Sequence, residues 1–462
     1  MLEITRPAPH LCDGLTRRDW LRLGAVGAGG LTLPGLLQSQ AQAAGAARAK
    51  SVILLFNTGG IPHHETWDPK PQAPREVRGD FGVIPTRTPG MFVGELMPKT
   101  ALLTDRIAVV RTMATGDNAH STSGYQMLTG VPHIPLSQEN TPPRKPNDWP
   151  CANALVRALR PPRGGLPSSI MLPRKLANMG GLYPWPGADA GFLGRKYDPW
   201  VLECNPAEPN FSVPDCQLPD DLPPLRLDRR LSLLDQFNRH ADRIEQSASV
   251  ANYDEYKERA IELIAGGRAR QAFDLGLESE DMRDRYGPTR YGQSVLLARR
   301  LVEAGVSLVQ VNWASEDRKR PNSGGWDTHE KHSESLKGWL MPVMDQVYSS
   351  LLTDLDERGL LDETLVCWVA EFGHTPKFNK RAGRDHWGRV FSIALAGGGI
   401  RGGTIVGATD SRAAEPLSTA TSPADYLATV FHCLGYSPET MVHDPEGRPL
   451  PISRGRIIDA LV

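Results

Sequence analysis

Short apolar runs of strand length recur along this chain, and polar loops follow them. Ser51–Phe56 and Thr364–Ala370 are almost entirely apolar, as strands buried on both faces of a parallel sheet are. Between such runs lie stretches with apolar residues at helical spacing, among them Tyr286–Val302 and Glu334–Arg358. This alternation of strands and helices predicts an α/β fold with a doubly wound, parallel or mixed sheet.

Acidic residues and histidines cluster in loops at four of the predicted strand ends. Because the carboxyl ends of parallel strands meet at one edge of a sheet, we expect these side chains to converge there. Carboxylate and imidazole ligands together suit zinc and other first-row divalent ions. The candidate metal ligands are Glu65 with His63, Asp327 with His329 and His332, Glu371 with His374, and Asp385 with His386.

The segment from Gly324 to His332 is the densest of these clusters, and it follows a predicted strand within Gly305–Trp313. Taken alone, it is equally well interpreted as a surface loop that is polar by chance. Taken with the other three loops, it predicts a metal site. Such a site could hold two ions, which would stabilise the attacking and leaving oxygens of a displacement at phosphorus or sulfur.

A segment rich in hydroxyl groups, Thr115–Gly130, predicts a strand, a polar loop and then a helix start. A helix N-terminus favours an anionic substrate, so His120 and Ser121 are candidate catalytic residues, with Ser121 as the candidate nucleophile. An ordinary N-cap is the alternative interpretation of each hydroxyl here. Arg384, in a basic loop beside Asp385, is a candidate contact for an anion.

The N-terminus carries the features of a twin-arginine signal peptide over residues 1–43. Arg17 and Arg18 precede an apolar run from Leu23 to Leu37, and a small-residue cleavage site ends at Ala43. An ordinary N-terminal helix would not combine these features in this order. We therefore expect export by the twin-arginine machinery to the periplasm or beyond. The apolar run is short and interrupted by Gly and Pro, so no permanent membrane span is expected.

Composition limits the possible partners and the domain count. The chain has 462 residues, with 52 Lys and Arg against 53 Asp and Glu, so nothing indicates a nucleic-acid partner. The length fits one large α/β domain over 44–462, with a loop-rich insertion at 174–226 and a helical segment at 227–304. Two helices are expected in that segment, at 229–240 and 254–265. Cys204 and Cys216 lie in one Pro-rich stretch and could form a disulfide outside the cytoplasm.

Several motifs distributed over the mature chain carry a family resemblance. The chain resembles the sulfatase-like family catalogued as domain of unknown function 1501, which is related to the alkaline phosphatase superfamily. The matching motifs, besides the leader, are Gly59–Lys70, Met127–Gly130, Ala272–Leu275, Leu296–Arg300, Gly324–His329, Glu371–Gly373 and Gly383–Trp387.

The resemblance implies an α/β/α sandwich that binds metal ions at strand ends and uses a Ser, Thr or formylglycine nucleophile. It assigns Glu65 to the acid after the first strand, and Asp327 with a following histidine to an acid-histidine pair. Glu371 corresponds to the later acid and His386 to the last histidine. The chain departs from the pattern at Phe372, where His or Asn usually stands.

Phe372 leaves one metal position without its usual ligand, and His374 is the available substitute. The Cys/Ser-x-Pro-x-Arg pattern of formylglycine sulfatases is missing, because Cys204–Glu208 lacks the arginine. Ser121 is therefore the nearest candidate nucleophile.

These features predict an exported, metal-dependent hydrolase of phosphate or sulfate esters. Zinc is the first candidate ion, with calcium or manganese as alternatives, and the expected substrate is an anionic ester or a sulfated or phosphorylated glycan. A non-catalytic, sulfatase-like binding or scaffold protein of the cell envelope is the main alternative. A metal-assisted phosphomutase is a third.

Overall fold

The computed structural model describes residues 48–163, 165–178, 181–213, 267–314 and 320–462. Four predictions fall outside these residues: the signal peptide, the helices at 229–240 and 254–265, and the Cys216 half of the possible disulfide. Among the residues that are described, no helix is both long enough and apolar enough to cross a membrane.

An eight-stranded sheet forms the centre of the described part of the chain. Its strands are, in chain order, β1 (Ser51–Phe56), β2 (Ile107–Met113), β3 (Ser169–Leu172), β4 (Trp200–Val201), β5 (Leu308–Asn312), β6 (Thr364–Val369), β7 (Phe391–Ala396) and β8 (Ile405–Val406). Across the sheet they lie in the order β8-β2-β7-β6-β1-β5-β3-β4. Neighbours are parallel except where β7 pairs with β6 and β2, so β7 alone runs in the opposite direction within this sheet. The predicted α/β fold with a mostly parallel sheet is confirmed.

Helices cover both faces of the sheet. They are α1 (Arg75–Arg78), α2 (His120–Thr129), α3 (Ala152–Leu159), α4 (Gly267–Phe273), α5 (Glu280–Tyr286), α6 (Arg290–Glu303), α7 (His332–Ser335), α8 (Met341–Glu357) and α9 (Pro423–Cys433). Alternate residues of β1 point to opposite faces: Ile53 and Leu55 join the core packed by α6 and α8, while Val52 and Leu54 join the core packed by α9. The result is a three-layered α/β/α sandwich.

Two local predictions need correction. The helix expected at Tyr286–Val302 is interrupted, because Gly287 has a φ of 83° and Pro288 follows it; α6 begins only at Arg290, capped by the Thr289 hydroxyl. The loop-rich stretch from residue 174 also contributes to the sheet, since β4 pairs with β3 in parallel. A two-residue strand is too short to leave a periodic signal in the sequence.

Outside the large sheet, short strands pair two by two. These pairs are Val83–Pro85 with Phe92–Gly94, Ala177–Asn178 with Tyr183–Pro184, Gly373–His374 with His386–Trp387, and Met441–His443 with Pro449–Pro451.

The direction of the strands places several polar loops together. β1, β2, β5 and β6 are parallel, so the loops that follow them lie at one edge of the sheet. Because β7 is antiparallel, the loop that precedes it lies at this same edge. The loop before β7 contains Asp385 and His386, which explains how a segment that leads into a strand can join segments that follow strands.

Candidate metal centre

The carboxylate of Asp327 lies among three imidazoles at this edge of the sheet. Its Oδ1 is 2.9 Å from Nε2 of His386 and 3.0 Å from Nε2 of His329, and its Oδ2 is 3.3 Å from Nε2 of His120. Asp327 and His329 come from the loop after β5, His120 is the first residue of α2, and His386 precedes β7. One carboxylate and three ring nitrogens therefore converge.

The opposite ring nitrogen of each histidine is held by an acceptor. Nδ1 of His120 lies 2.8 Å from Oε1 of Glu371, Nδ1 of His329 lies 2.8 Å from Oδ1 of Asp385, and Nδ1 of His386 lies 2.7 Å from the Asn118 carbonyl oxygen. Because carbonyl and carboxylate oxygens accept, each Nδ1 carries a hydrogen, so Nε2 is the nitrogen of each ring that is left to bind an ion once it carries no hydrogen of its own. Histidines that bind metal ions are oriented in this way.

The spacing also fits a metal ion. A tetrahedral site with zinc-ligand bonds of 2.0–2.1 Å places neighbouring ligand atoms about 3.3 Å apart. In the described residues, two groups could hold an ion, each with ligand atoms within 4.8 Å of one another. They are Asp327, His329 and His386, and, sharing His386, the set of His120, Glu139 and His386. Since the second group contains an exposed carboxylate, the first is the better-formed site.

Charges in the cluster change the proton affinities of its members. Burial lowers the pKa of His120, but Asp327 and Glu371 outweigh burial and raise it to about 10. The hydrogen bond to Asp327 raises the pKa of His329, with burial opposing and Asp385 adding to the increase. Burial raises the pKa of Asp327, yet the surrounding imidazoles hold it well below its usual range. Protons and a metal ion would therefore compete for these groups.

An open cavity of about 530 Å³ lies over the cluster and is lined by Asp327, His120, His329 and His386. Sequence analysis missed further residues that line it: Thr58, Glu139, Arg174, Asn178 and Trp185. Thr58 and Arg174 lie within two residues of the ends of β1 and β3, so the rule used for the acids and histidines could have found them. Glu139 comes from a loop and Asn178 from a two-residue strand, and neither segment has a distinguishing pattern in the sequence.

A second cluster is buried and separate from the cavity, which corrects the expectation that all predicted ligands converge. Glu65 is 2% exposed, and its Oε1 accepts a hydrogen bond of 3.0 Å from Nε of Arg384. Nη1 and Nη2 of Arg384 donate to the carbonyl oxygens of Thr375 and Val77, at 2.9 and 2.7 Å. The guanidinium is thus fully enclosed, and Arg384 does not reach the cavity where an anion contact was predicted.

His332 belongs to the buried cluster as well. Its Nε2 lies 3.4 Å from Oε2 of Glu65, and its Nδ1 lies 2.6 Å from the hydroxyl of Thr328. Burial raises the pKa of Glu65, but Arg384 and His332 outweigh it and hold that pKa far below its usual range. Glu65 is therefore an ion-pair partner of Arg384 in this structure.

His63 and His374, also predicted as ligands, face backbone carbonyls. Nε2 of His63 is 2.9 Å from the Ala413 oxygen, and Nε2 of His374 is 2.8 Å from the Gly59 oxygen. Both rings are buried, and burial lowers the pKa of each, so they are neutral. Neither belongs to the two described groups that could hold an ion.

Ser121, the predicted nucleophile, does not line the cavity. Its hydroxyl donates to Glu139 Oε2 at 3.2 Å and accepts from the Asn140 backbone nitrogen at 3.0 Å. Phe372 fills the position where the resemblance expects another ligand. Its ring centroid lies 4.3 Å from that of His386 and 5.0 Å from that of His120.

Comparison with known proteins identifies a family and some distant structures. A family model described as protein of unknown function (DUF1501) matches residues 49–462. No curated protein matches the chain in a sequence search.

Three solved structures illustrate the structural similarity. Phosphonate monoester hydrolase SpPMH from Silicibacter pomeroyi is 12% identical with a TM-score of 0.38, over 88% of this chain and 76% of its own. The sulfatase PsFucS1 from Pseudoalteromonas sp. is 13% identical with a TM-score of 0.36, over 79% and 66%. Ps i-CgsB in complex with k-i-k-neocarrahexaose is 12% identical with a TM-score of 0.41, over 84% and 72%. Similarities at these scores carry no information about the reaction of this chain.

Proposed function

The chain belongs to the DUF1501 family, and we propose that it is a metal-dependent hydrolase of phosphate or sulfate esters. One observation carries the proposal: three histidine Nε2 atoms surround Asp327, and each ring is held through Nδ1 by an acceptor. A merely polar surface loop has no reason to direct the Nε2 atoms of three rings held in this way toward one carboxylate. The cavity above the cluster provides space for a substrate.

Asp327, His329 and His386 are the residues that would hold the ion. Two imidazole nitrogens and one carboxylate favour zinc or another first-row ion over calcium, which prefers oxygen ligands. Three protein ligands leave a further position open, as in catalytic zinc sites. An ion bound there would polarise an ester oxygen and lower the pKa of a water molecule.

In the proposed reaction, His120 would donate a proton to the leaving oxygen of the ester. Glu371 holds its Nδ1 and fixes the orientation of the ring, so Nε2 faces Oδ2 of Asp327, and both residues line the cavity. Against the effect of burial, Asp327 and Glu371 raise its pKa, which favours the protonated ring that a general acid requires. Arg174, which lines the same cavity, would contact the anionic part of the substrate.

The substrate would be an anionic ester, and a sulfated or phosphorylated glycan fits the amide and indole groups of Asn178 and Trp185 in the cavity wall. Export through the twin-arginine pathway to the periplasm or beyond is part of the proposal. Its support is the order of Arg17-Arg18, the apolar run and the cleavage site at Ala43.

A non-catalytic binding or scaffold protein of the cell envelope is the second candidate. Phe372 favours it, because the phenyl ring packs on His120 and His386 where a second ion would need a ligand. Ester turnover separates the two candidates, since only the hydrolase converts substrate.

The test uses zinc-loaded protein and a panel of aryl phosphates, aryl sulfates and aryl phosphonates. We expect turnover of at least one class, loss of turnover on chelation, and recovery when zinc is returned. Asp327→Asn should abolish both zinc binding and turnover. Asp362→Asn is the matched control, because Asp362 is exposed and precedes β6 at the opposite edge of the sheet. Zinc binding without turnover of any ester would favour the scaffold instead.

A further inference from the structure

An internal carboxylate occupies the cavity next to the candidate metal centre. Glu139 lies in an exposed loop, yet its side chain lines the cavity. Its Oε1 accepts a hydrogen bond of 2.6 Å from the backbone nitrogen of His120. Its Oε2 accepts from Nδ2 of Asn178 at 2.9 Å and from the hydroxyl of Ser121 at 3.2 Å. Three donors from two segments of the chain thus surround one negative charge.

This carboxylate lies close to the residues that would hold the ion. A carboxylate oxygen of Glu139 is within 4.8 Å of ring nitrogens of His120 and His386. Independently, Glu371 is fully buried beside His120, and its Oε2 has no hydrogen-bond partner. A buried carboxylate with one oxygen left without a hydrogen bond favours a positive charge nearby, on His120 or on a bound ion, and an anionic substrate binds beside such a charge.

We propose that the donors around Glu139 form the subsite for the tetrahedral oxyanion group of the substrate, and that Glu139 occupies this subsite until the substrate displaces it. The inference rests on the proposed function and adds where the phosphoryl or sulfuryl group binds. Two oxygens of such a group would take the places of Oε1 and Oε2, and the first turn of α2 favours negative charge there.

The geometry allows Glu139 to leave. It is exposed, whereas the groups that hold it belong to α2 and to the half-buried strand Ala177–Asn178. If the Glu139 carboxylate occupies the subsite about nine-tenths of the time, it weakens the apparent affinity of an anion about tenfold.

The test measures binding of inorganic phosphate and of inorganic sulfate to zinc-loaded protein by titration calorimetry. Glu139→Gln and Glu139→Ala remove the internal charge. Glu439→Gln makes the same change of net charge at an exposed residue that does not line the cavity. Zinc content and circular dichroism are recorded for every variant, so that altered folding or ion loss is seen directly.

We expect both Glu139 variants to bind one of the two anions about tenfold more tightly than the wild type, with Glu439→Gln unchanged. The anion that gains affinity identifies the phosphate or the sulfate class. Equal or weaker binding in both variants would overturn the inference and leave Glu139 as a cap of α2. Loss of zinc in the Glu139 variants would also overturn it, because Glu139 would then be a ligand. A wild type that binds zinc and anions but turns over no ester would contradict the hydrolase alone.

Discussion

Asp327 and His386 meet at 2.9 Å, although one follows a parallel strand and the other precedes the antiparallel strand of the same sheet. The reversed direction of β7 brings the second residue to the edge where the first one lies. The same edge receives His120 from the start of α2 and Glu371 from the end of β6. The candidate centre is thus a consequence of strand direction, and its chemistry depends on how each imidazole is held.

Zinc affinity should rise with pH through the neutral range. The Asp327 carboxylate raises the pKa of His329, so a proton occupies this ring above the pH at which free histidine loses it. Because zinc must displace that proton, its apparent affinity should increase from about pH 6 to about pH 8, and binding should release protons. Competition with a chelator at several pH values measures this. A zinc affinity that does not change between these pH values would show that His329 is not a ligand.

Asp385 should control zinc affinity without touching the ion. Its Oδ1 holds Nδ1 of His329 at 2.8 Å. Asp385→Ala should lower zinc affinity about 10- to 100-fold, because the ring loses its fixed orientation. Asp385→Asn keeps an oxygen that can accept the hydrogen bond, so its loss should be smaller. Equal zinc affinities in the wild type and Asp385→Ala would show that Asp385 does not orient His329 for binding.

Gly59 should be required for the position of Asp327. A Cβ at Gly59 would lie 2.2 Å from the Asp327 backbone nitrogen, and its φ is +108°. Gly59→Ala should therefore displace the Asp327 loop and abolish zinc binding. Gly116→Ala is the matched control, since Gly116 also has a positive φ, +67°, but no heavy atom lies within 4 Å of the added carbon. If Gly116→Ala lost zinc to the same extent, backbone strain alone would account for the effect of Gly59→Ala, and a Gly59→Ala variant that binds zinc like the wild type would contradict the prediction.

The buried pair of Glu65 and Arg384 should act on stability. Glu65→Gln leaves the enclosed guanidinium without its counter-charge and should cost about 3 to 5 kcal/mol of unfolding free energy. Glu363→Gln is the matched control: it breaks a pair with Lys50 whose side chains are 67% and 45% exposed, and should cost less than about 1 kcal/mol. Urea unfolding measures both. Similar losses of unfolding free energy in the two variants would contradict the view that burial makes the Glu65–Arg384 pair more important for stability.

The same pair should make the protein sensitive to acid. The folded-state pKa of Glu65 is depressed, because Arg384 and His332 outweigh the effect of burial. Its stabilisation is therefore complete above the ordinary pKa of a glutamate, about 4.3, and is lost as the pH falls below that value. The wild type should lose stability more steeply than Glu65→Gln in this acid range. If the unfolding free energies of the wild type and Glu65→Gln fell equally with pH, Glu65 would not be the group responsible for the acid sensitivity.

The strands and the edge at which the site lies could be predicted from the sequence. The run Ser51–Phe56 matches β1 residue for residue, because strands buried on both faces are apolar throughout. Asp327, His329 and His386 were all expected at this edge, since each lies in a loop at a strand end. The direction of β7 could not be predicted, because a buried strand has the same composition in either direction.

The division into an open and a buried cluster could not be predicted either. Glu65 and His332 are of the same residue types as the residues around Asp327, and His332 is only three positions after His329. In the structure His332 begins α7 and meets Glu65, while His329 remains in the loop beside Asp327. Arg384 and Asp385 are adjacent in sequence but serve different clusters. Only tertiary contacts distinguish such neighbours.

Anomalous X-ray diffraction at the zinc edge, on crystals of the zinc-loaded protein, would show directly where the ion binds. We expect one strong peak about 2.0 to 2.2 Å from Nε2 of His329, Nε2 of His386 and a carboxylate oxygen of Asp327. A peak beside Glu65 and His332, or no peak at the edge of the sheet where Asp327 lies, would contradict this expectation.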